Sequence, residues 1–324
     1  MLNVAIMGAG SIANKMADTI TRMEDVTPYA IAARDLSRAE TFADKYGFKK
    51  AYGSYEEMVK DPDLDLVYIA TPHSHHFHCA KLALEAGKNV LCEKSFTVNA
   101  RQAEELFKLA KAKGVLLAEA IWTRYMPSRK IINDVIASGA IGEVKSLTAN
   151  LGYELANVER IHKVELAGGA LLDVGVYAIN FARMILGTEM VGLDSSVIFE
   201  GGVDVAETIT MKYPGGKIAS LQCAVNANQN RLGAIFGTKG YLEVQNINNP
   251  EKISVYDRDH RLVQTCPIPD QITGYEYEVL SCMKAIETGA LECPEMPHEE
   301  ILAVMKVMDS LRASWGYEIP DPVI

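Results

Sequence analysis

Asn3-Val-Ala-Ile-Met-Gly-Ala-Gly-Ser-Ile-Ala13 decides the fold. Residues 4–7 form an apolar, β-prone run, and Gly8-x-Gly10-x-x-Ala13 follows at once. Ile12, Met16, Ile20 and Met23 then recur at three- and four-residue steps, with polar Asn14, Asp18 and Arg22 between them, which is helical spacing. Strand, glycine turn and helix in that order make the spacing a dinucleotide-binding fingerprint. Gly8 permits the tight turn, and Gly10 lets backbone approach a pyrophosphate. Ala13 stands at the third glycine's place and is still small enough for the helix to pack on the strand. The first helical residues, Ser11 and Ile12, offer free N–H groups to phosphate.

Outward from this stretch, strands and helices alternate. Strands are expected at 29–33, 50–52, 66–70, 89–92 and 115–119, and helices at 37–46, from about 76 to 86, and at 99–113, with a short one capped by Ser54 and Glu57. Such alternation implies βαβ units and a parallel sheet. After Trp122 the rhythm changes. One helix (127–138) is followed by strand-like runs near 144–155, 191–200, 204–213, 217–227, 231–237 and 240–245. Pro214-Gly215-Gly216 reads as a hairpin turn, one helix spans roughly 170–186, and the end (275–288 and 297–315) is helical. The expected fold is α/β. A Rossmann domain with a doubly wound parallel sheet covers residues 1–121, and an α+β domain with a large mixed or antiparallel sheet covers 122–324.

A chain of 324 residues is longer than one core usually covers, in keeping with two domains. A net charge of −10 argues against nucleic acid, whose phosphates need a basic face. The six cysteines form no C-x-x-C pair and read as reduced, buried thiols of a cytoplasmic protein. No leader and no uninterrupted apolar run near eighteen residues is visible, so no membrane partner is expected.

The end of the second strand chooses the cofactor. NAD enzymes place Asp or Glu there for the ribose hydroxyls. Here Ala33 stands there and Arg34 follows, so no carboxylate repels a 2′-phosphate, and Arg34, helped by Arg38, can hold one. The alternative is that Arg34 is a solvated loop charge and Asp35 serves the ribose. The loop Thr71-Pro72-His73-Ser-His-His76 opens at the carboxyl edge of the parallel sheet, where ligands bind. Its histidines lack a Cys, Asp or Glu at ligand spacing, so metal is not expected, and one or two imidazoles are expected to face cofactor or substrate. Glu93-Lys94 ends another parallel strand. Asp173 and Tyr177 lie four apart on one helical face. Gly175 between them is a poor helix residue and suggests close approach of another group.

These residues resemble the glucose–fructose oxidoreductase/inositol dehydrogenase (Gfo/Idh/MocA) family. The family's Glu-Lys-Pro appears as Glu93-Lys94-Ser95, its Thr-Pro-x-x-x-His as Thr71-Pro72…His76, and its D-x-G-x-H helix as Asp173-Val-Gly175-Val-Tyr177. Glu119-Ala-Ile-Trp-Thr-Arg124 and Gly168-Gly-Ala-Leu-Leu-Asp173 look most like its dihydrodiol dehydrogenase branch, which also holds NADP-dependent xylose dehydrogenases. Two departures stand out: Ser95 replaces a proline, and Leu151 lies where that branch would place an aromatic.

The resemblance implies an NADP-dependent oxidoreductase, with NAD the lesser candidate, acting on a sugar-like compound, a cyclic polyol or a diol. Gly8, Gly10, Ser11, Ile12, Ala33, Arg34, Arg38, Thr71, Pro72, His73, His76, Glu93 and Lys94 would hold the cofactor, and Trp122, Arg124, Leu151 and Tyr177 the substrate. Lys94 and Tyr177 are the expected catalytic pair, with Asp173 assisting: a phenol has a reference pKa of about 10, and a nearby ammonium favours the phenolate that can act as base. The second domain's sheet, with an apolar face left open, is expected to carry a homodimer or homotetramer. Other readings are a redox-silent nicotinamide-binding regulator and a glycoside-processing enzyme that uses its nicotinamide internally.

Overall fold

Short apolar runs such as Leu66-Val-Tyr-Ile69 are buried along their whole length, the signature of parallel strands covered on both faces. In the computed structural model, which describes residues 1–320, they form a six-stranded sheet. Its strands are β1 (Leu2–Met7), β2 (Val26–Ala32), β3 (Lys50–Tyr52), β4 (Leu66–Ile69), β5 (Asn89–Glu93) and β6 (Leu117–Ala120). The connecting helices are α1 (Ser11–Ile20), α2 (Leu36–Tyr46), the single turn α3 (Tyr55–Met58), α4 (His76–Glu85) and α5 (Ala100–Lys113). All pairings are parallel, in the order β3-β2-β1-β4-β5-β6. Connections run one way from β1 through β2 to β3 and the other way from β4 through β5 to β6. The ends of β1 and β4 therefore flank the switch point at which such sheets bind ligands.

The chain divides into two compact units, Met1–Trp122 with Gln271–Met305, and Thr123–Asp270 with the chain from Lys306 onward. The first unit thus takes in a late segment beyond the expected 1–121. The reason is an open strand edge. Leu117 of β6 donates its N–H to Leu291 O (3.1 Å) and its carbonyl accepts from His298 Nε2 (2.8 Å). The returning segment, with α8 (Glu276–Thr288), satisfies backbone groups that β6 would otherwise expose. Helical periodicity holds no record of which sheet a distant segment will cover.

The second unit holds α6 (Pro127–Ala137), β7 (Val144–Gly152), α7 (Val176–Leu186), β8 (Gly192–Glu200), β9 (Val203–Tyr213), β10 (Lys217–Ala224), β11 (Gly233–Gly237), β12 (Gly240–Gln245), β13 (Lys252–Asp257) and β14 (Leu262–Cys266), with the end of α9 (His298–Trp315). Its eight-stranded mixed sheet runs β14-β13-β12-β11-β7-β10-β9-β8, antiparallel except for β7 against β10. Pro214-Gly215-Gly216 closes the β9–β10 hairpin as expected, with Tyr213 facing Lys217. Strands β13 and β14 were not expected. They are short, and Leu262 and Val263 are more than half exposed, so no alternation marks β14. Alternation elsewhere sends Leu147, Ala149, Leu151, Ile209, Met211, Ala219 and Leu221 to the covered side, where α7 packs. Thr148, Thr208, Ser220 and Gln222 are exposed on the other side. The open face is therefore largely polar and not apolar as expected, because the period-2 pattern spends the apolar residues inside.

The long apolar segment Val164–Leu186 has a mean hydropathy of 1.4 and is 83% buried, so it is a core element. It does not run as one helix. Leu171–Gly175 is a π-turn, with Val176 N–H donating to Leu171 O, and α7 follows from it.

Candidate active-site elements

At the end of β1 the chain must turn close to the neighbouring strand. Gly8 has φ +103°, and a Cβ there would lie 2.9 Å from the carbonyl oxygen of Ala70. Only glycine meets both conditions. Gly10 stands at the N-cap of α1 with no side-chain cap, and a Cβ added there would meet nothing within 4 Å. No acidic residue occupies the first turn. The first turn of α1, with Ser11 and Ile12, thus carries no side-chain cap and no carboxylate to repel an anion, so the loop fits a pyrophosphate.

Beside it, buried Ala33 directly follows β2, and exposed Arg34 and Arg38 come next. Arg38 Nη2 donates to Ala9 O (3.4 Å), which brings its guanidinium to the glycine loop. Asp35 is already engaged. Its Oδ1 accepts from Ser37 N (2.9 Å) and Ser37 Oγ (2.8 Å), capping α2, and these bonds hold its carboxyl below the usual range. The cap leaves Arg34 and Arg38 as the cations at the ribose end. Arg34 also adds to burial in lowering the pKa of half-buried His75.

After β4, Thr71 and Pro72 are half-buried and His73 is buried. His76 is enclosed, with Nε2 2.9 Å from Thr71 O and Nδ1 2.8 Å from Ser95 O. Two carbonyls would favour an imidazolium, but burial wins and pushes the pKa down to about 4, so the ring is neutral and donates from one nitrogen. His76 is thus a tie between two ligand-edge loops, not an imidazole facing outward.

The second of these loops carries Lys94, half-buried, and the Lys94–Ser95 peptide bond is cis. Glu93 lies behind it, with one oxygen accepting from Tyr68 Oη and the other from the Lys94 N–H (3.1 Å). Glu93 therefore shapes the turn from below. Glu119 supports the same turn by accepting from Phe96 N (3.1 Å), and buried Glu278 of α8 feels the charges of Glu93 and Glu119 on top of its own desolvation, which hold its carboxyl well above the usual range. Trp122 stacks on Tyr275 with ring centroids 4.2 Å apart. Glu278 and Tyr275 come from the returning segment, so nothing near the glycine motif could have announced them.

In the second unit the π-turn presents Asp173, and Tyr177 follows in the first turn of α7; both are buried. Asp173 Oδ1 accepts from Arg160 Nη2 at 2.9 Å, a partner that sequence spacing did not supply. Arg124 is buried and donates from Nε to Asn180 Oδ1 (2.6 Å), so its guanidinium is held by α7. Leu151 is fully buried in β7, opposite Cys223 of β10. Among the described residues no three His, Cys, Asp or Glu side chains cluster in a way that could hold a metal.

The profile of an oxidoreductase family with an NAD-binding Rossmann fold matches residues 2–121, and that of the GFO/IDH/MocA C-terminal domain matches residues 130–243. Trans-1,2-dihydrobenzene-1,2-diol dehydrogenase from Mus musculus is 34% identical over 333 residues, covering 98% of each chain. The chain belongs to the Gfo/Idh/MocA oxidoreductase family. The Homo sapiens dihydrodiol dehydrogenase is 35% identical over 298 residues, covering 90% of this chain and 89% of its own. Among solved structures, a 3-ketoreductase from Actinomadura kijaniata in complex with NADP and TDP-benzene superposes with a TM-score of 0.88 at 26% identity, over 96% of this chain and 97% of that one.

Proposed function

We propose that the chain is an NADP-dependent dehydrogenase that moves a hydride between the cofactor and a CH–OH group of a sugar-like compound, a cyclic polyol or a diol. The end of β2 carries the cofactor preference: buried Ala33, exposed Arg34 and Arg38, and an Asp35 committed to capping α2. The substrate class is supported by relatives named diol dehydrogenases and by a structural neighbour that is a 3-ketoreductase crystallised with NADP.

A nicotinamide held by these residues would supply the hydride chemistry. The protein's part is to move the alcohol proton. Tyr177 Oη receives it, and the Lys94 ammonium favours the phenolate form that can do so. Asp173, steadied by Arg160, holds a substrate hydroxyl. His76 keeps the Thr71 and Ser95 loops in register, and Trp122 and Arg124 line the substrate side. Self-association through strands between about 204 and 245 and a cytoplasmic location belong to the same reading. The location is supported by six cysteines that are all free and buried, and the self-association would use the sheet's outward row, which is largely polar.

Arg34→Ala tests the assignment. Charge-assisted contacts of this kind are worth roughly 1.5–3 kcal/mol, so NADP should bind about ten- to a hundredfold more weakly while NAD changes little. Equal loss for both cofactors would remove the basis for NADP. A screen of aldoses, inositols and diols for reduction of NADP names the substrate.

A further inference from the structure

We propose that Glu207 of β9 is a positioning residue for Asp173 and Tyr177: its carboxyl fills the space beneath Gly175 and holds the chain in the π-turn that opens α7. The inference rests on the reading of Tyr177 as the proton-transfer group. A Cβ on Gly175 would lie 2.7 Å from Glu207 Oε1 and 3.2 Å from Leu171 Cδ1. A Cβ at the glycine between Asp173 and Tyr177 would therefore crowd the Glu207 carboxyl. Glu207 is buried, and neither of its oxygens has a hydrogen-bond partner.

An unpartnered carboxyl is an expensive way to fill a core, and a methionine or leucine would fill the volume without that cost. A carboxyl is also flat, and it can lie against a Cα where a branched side chain cannot. Burial, with Asp204 nearby, favours its uncharged form. Asp204 of the same strand holds the other end of the turn. Its Oδ2 accepts the Leu171 N–H at 2.6 Å, and its Oδ1 occupies the place of a Cβ on Gly169. β9 thus touches the turn at Leu171 and at Gly175. Between those points the hydrogen bond from Val176 N–H to Leu171 O spans five residues instead of four, which changes the aim of Asp173 relative to Tyr177. π-Bulges of this kind recur at functional sites.

The test uses the full-length protein and four variants: Glu207→Ala, Glu207→Gln, Gly175→Ala and the double variant Gly175→Ala/Glu207→Ala. Turnover with the best polyol, NADP binding by fluorescence and amide exchange at Val176 are read for each. Glu207→Ala should lower kcat at least about tenfold with KM for NADP unchanged, because misplacement of a reacting group by about 1 Å is enough for that. Glu207→Gln, of the same shape, should recover most of kcat. Gly175→Ala should lose kcat as well, and the double variant should regain part of it, since the new Cβ then enters the vacated space. Val176 protection should follow the same order. A folded Glu207→Ala with full kcat and full Val176 protection overturns the proposal. So does a double variant that simply combines the two losses. If no variant and not the wild type turns over any polyol, the dehydrogenase reading fails, and Val176 exchange alone still decides whether Glu207 holds the turn.

Discussion

Gly8 and Gly175 are both glycines because something comes too close for a Cβ, yet the two neighbours differ in kind. At Gly8 the neighbour is backbone, the carbonyl of Ala70 just past the end of the adjacent parallel strand, and φ is +103°. At Gly175 the neighbour is the end of a side chain, Glu207, and φ is an ordinary helical −59°. A backbone neighbour is fixed by the fold and cannot be mutated away, so the first glycine is part of a motif that can be read in any sequence. A side-chain neighbour is a choice made 32 positions along the chain, 207 against 175, and only the structure reveals it. In the function proposed above, the first glycine serves binding and the second serves the residues assigned to chemistry. The expected effects of mutation follow that division.

The largest effects belong to the chemistry. Tyr177→Phe and Lys94→Met should each lower turnover by roughly 10²-fold or more while NADP still binds, the usual scale for loss of a positioned proton-transfer group. Groups that act as one unit are not additive, so the double variant should fall far short of the product of the two losses. Near-normal turnover in Tyr177→Phe would reduce the tyrosine to a packing residue of α7 and hand the role of base to His73 or Asp173. Enclosed His76, with both ring nitrogens at backbone carbonyls, is a poor substitute.

Much of this was legible in the sequence, for physical reasons. The parallel sheet announced itself because its strands are apolar on both faces and separated by amphipathic helices. The glycine turn after β1 did so because a tight turn beside a strand leaves no chemical option but glycine. The hairpin at Pro214-Gly215-Gly216 followed from turn chemistry. What stayed hidden depended on partners distant in the chain. Asp173 pairs with Arg160 from a short 3₁₀ turn, Trp122 stacks on Tyr275 across nearly half the sequence, and the β6 edge is covered from 271–305. His76 was placed on the correct loop, but a pattern of letters cannot show that its ring turns inward. The π-turn was read as plain helix because its residues fit either pitch.

The next effect in size is at the other glycine. Gly8→Ala must place a Cβ 2.9 Å from a carbonyl oxygen at a left-handed φ. The backbone conformation alone costs roughly 1–2 kcal/mol, and relief of the clash would move the loop away from a bound pyrophosphate. Dinucleotide affinity should fall by about tenfold to a hundredfold, measured by calorimetric titration, and no substitution of a neighbouring side chain should restore it. Rescue of Gly8→Ala by any side-chain change near Thr71 would erase the distinction between the two glycines.

The smallest effect concerns stability, and it sharpens the contrast by reading the charge on Glu207 directly. Burial holds this carboxyl well above its ordinary value near 4.5, with Asp204, itself pushed up to about 6, adding to the shift. A raised folded-state value means that the folded protein binds the proton more tightly than the unfolded chain does. The stability linked to that proton is full below about pH 4.5 and is lost as pH rises toward the folded-state value. Glu207→Gln keeps the shape and cannot ionise. The difference in stability between variant and wild type should therefore be small near pH 4 and should grow steadily in the variant's favour as pH rises to 7. Asp204 titrates in both proteins, so taking the difference removes the first-order contribution of its own shift. Thermal melts of the two proteins at half-unit pH steps measure it. A gap that stays flat with pH would mean that the carboxyl finds a charge partner or water in solution, and Gly175 would then face an ordinary ion, not an uncharged wedge.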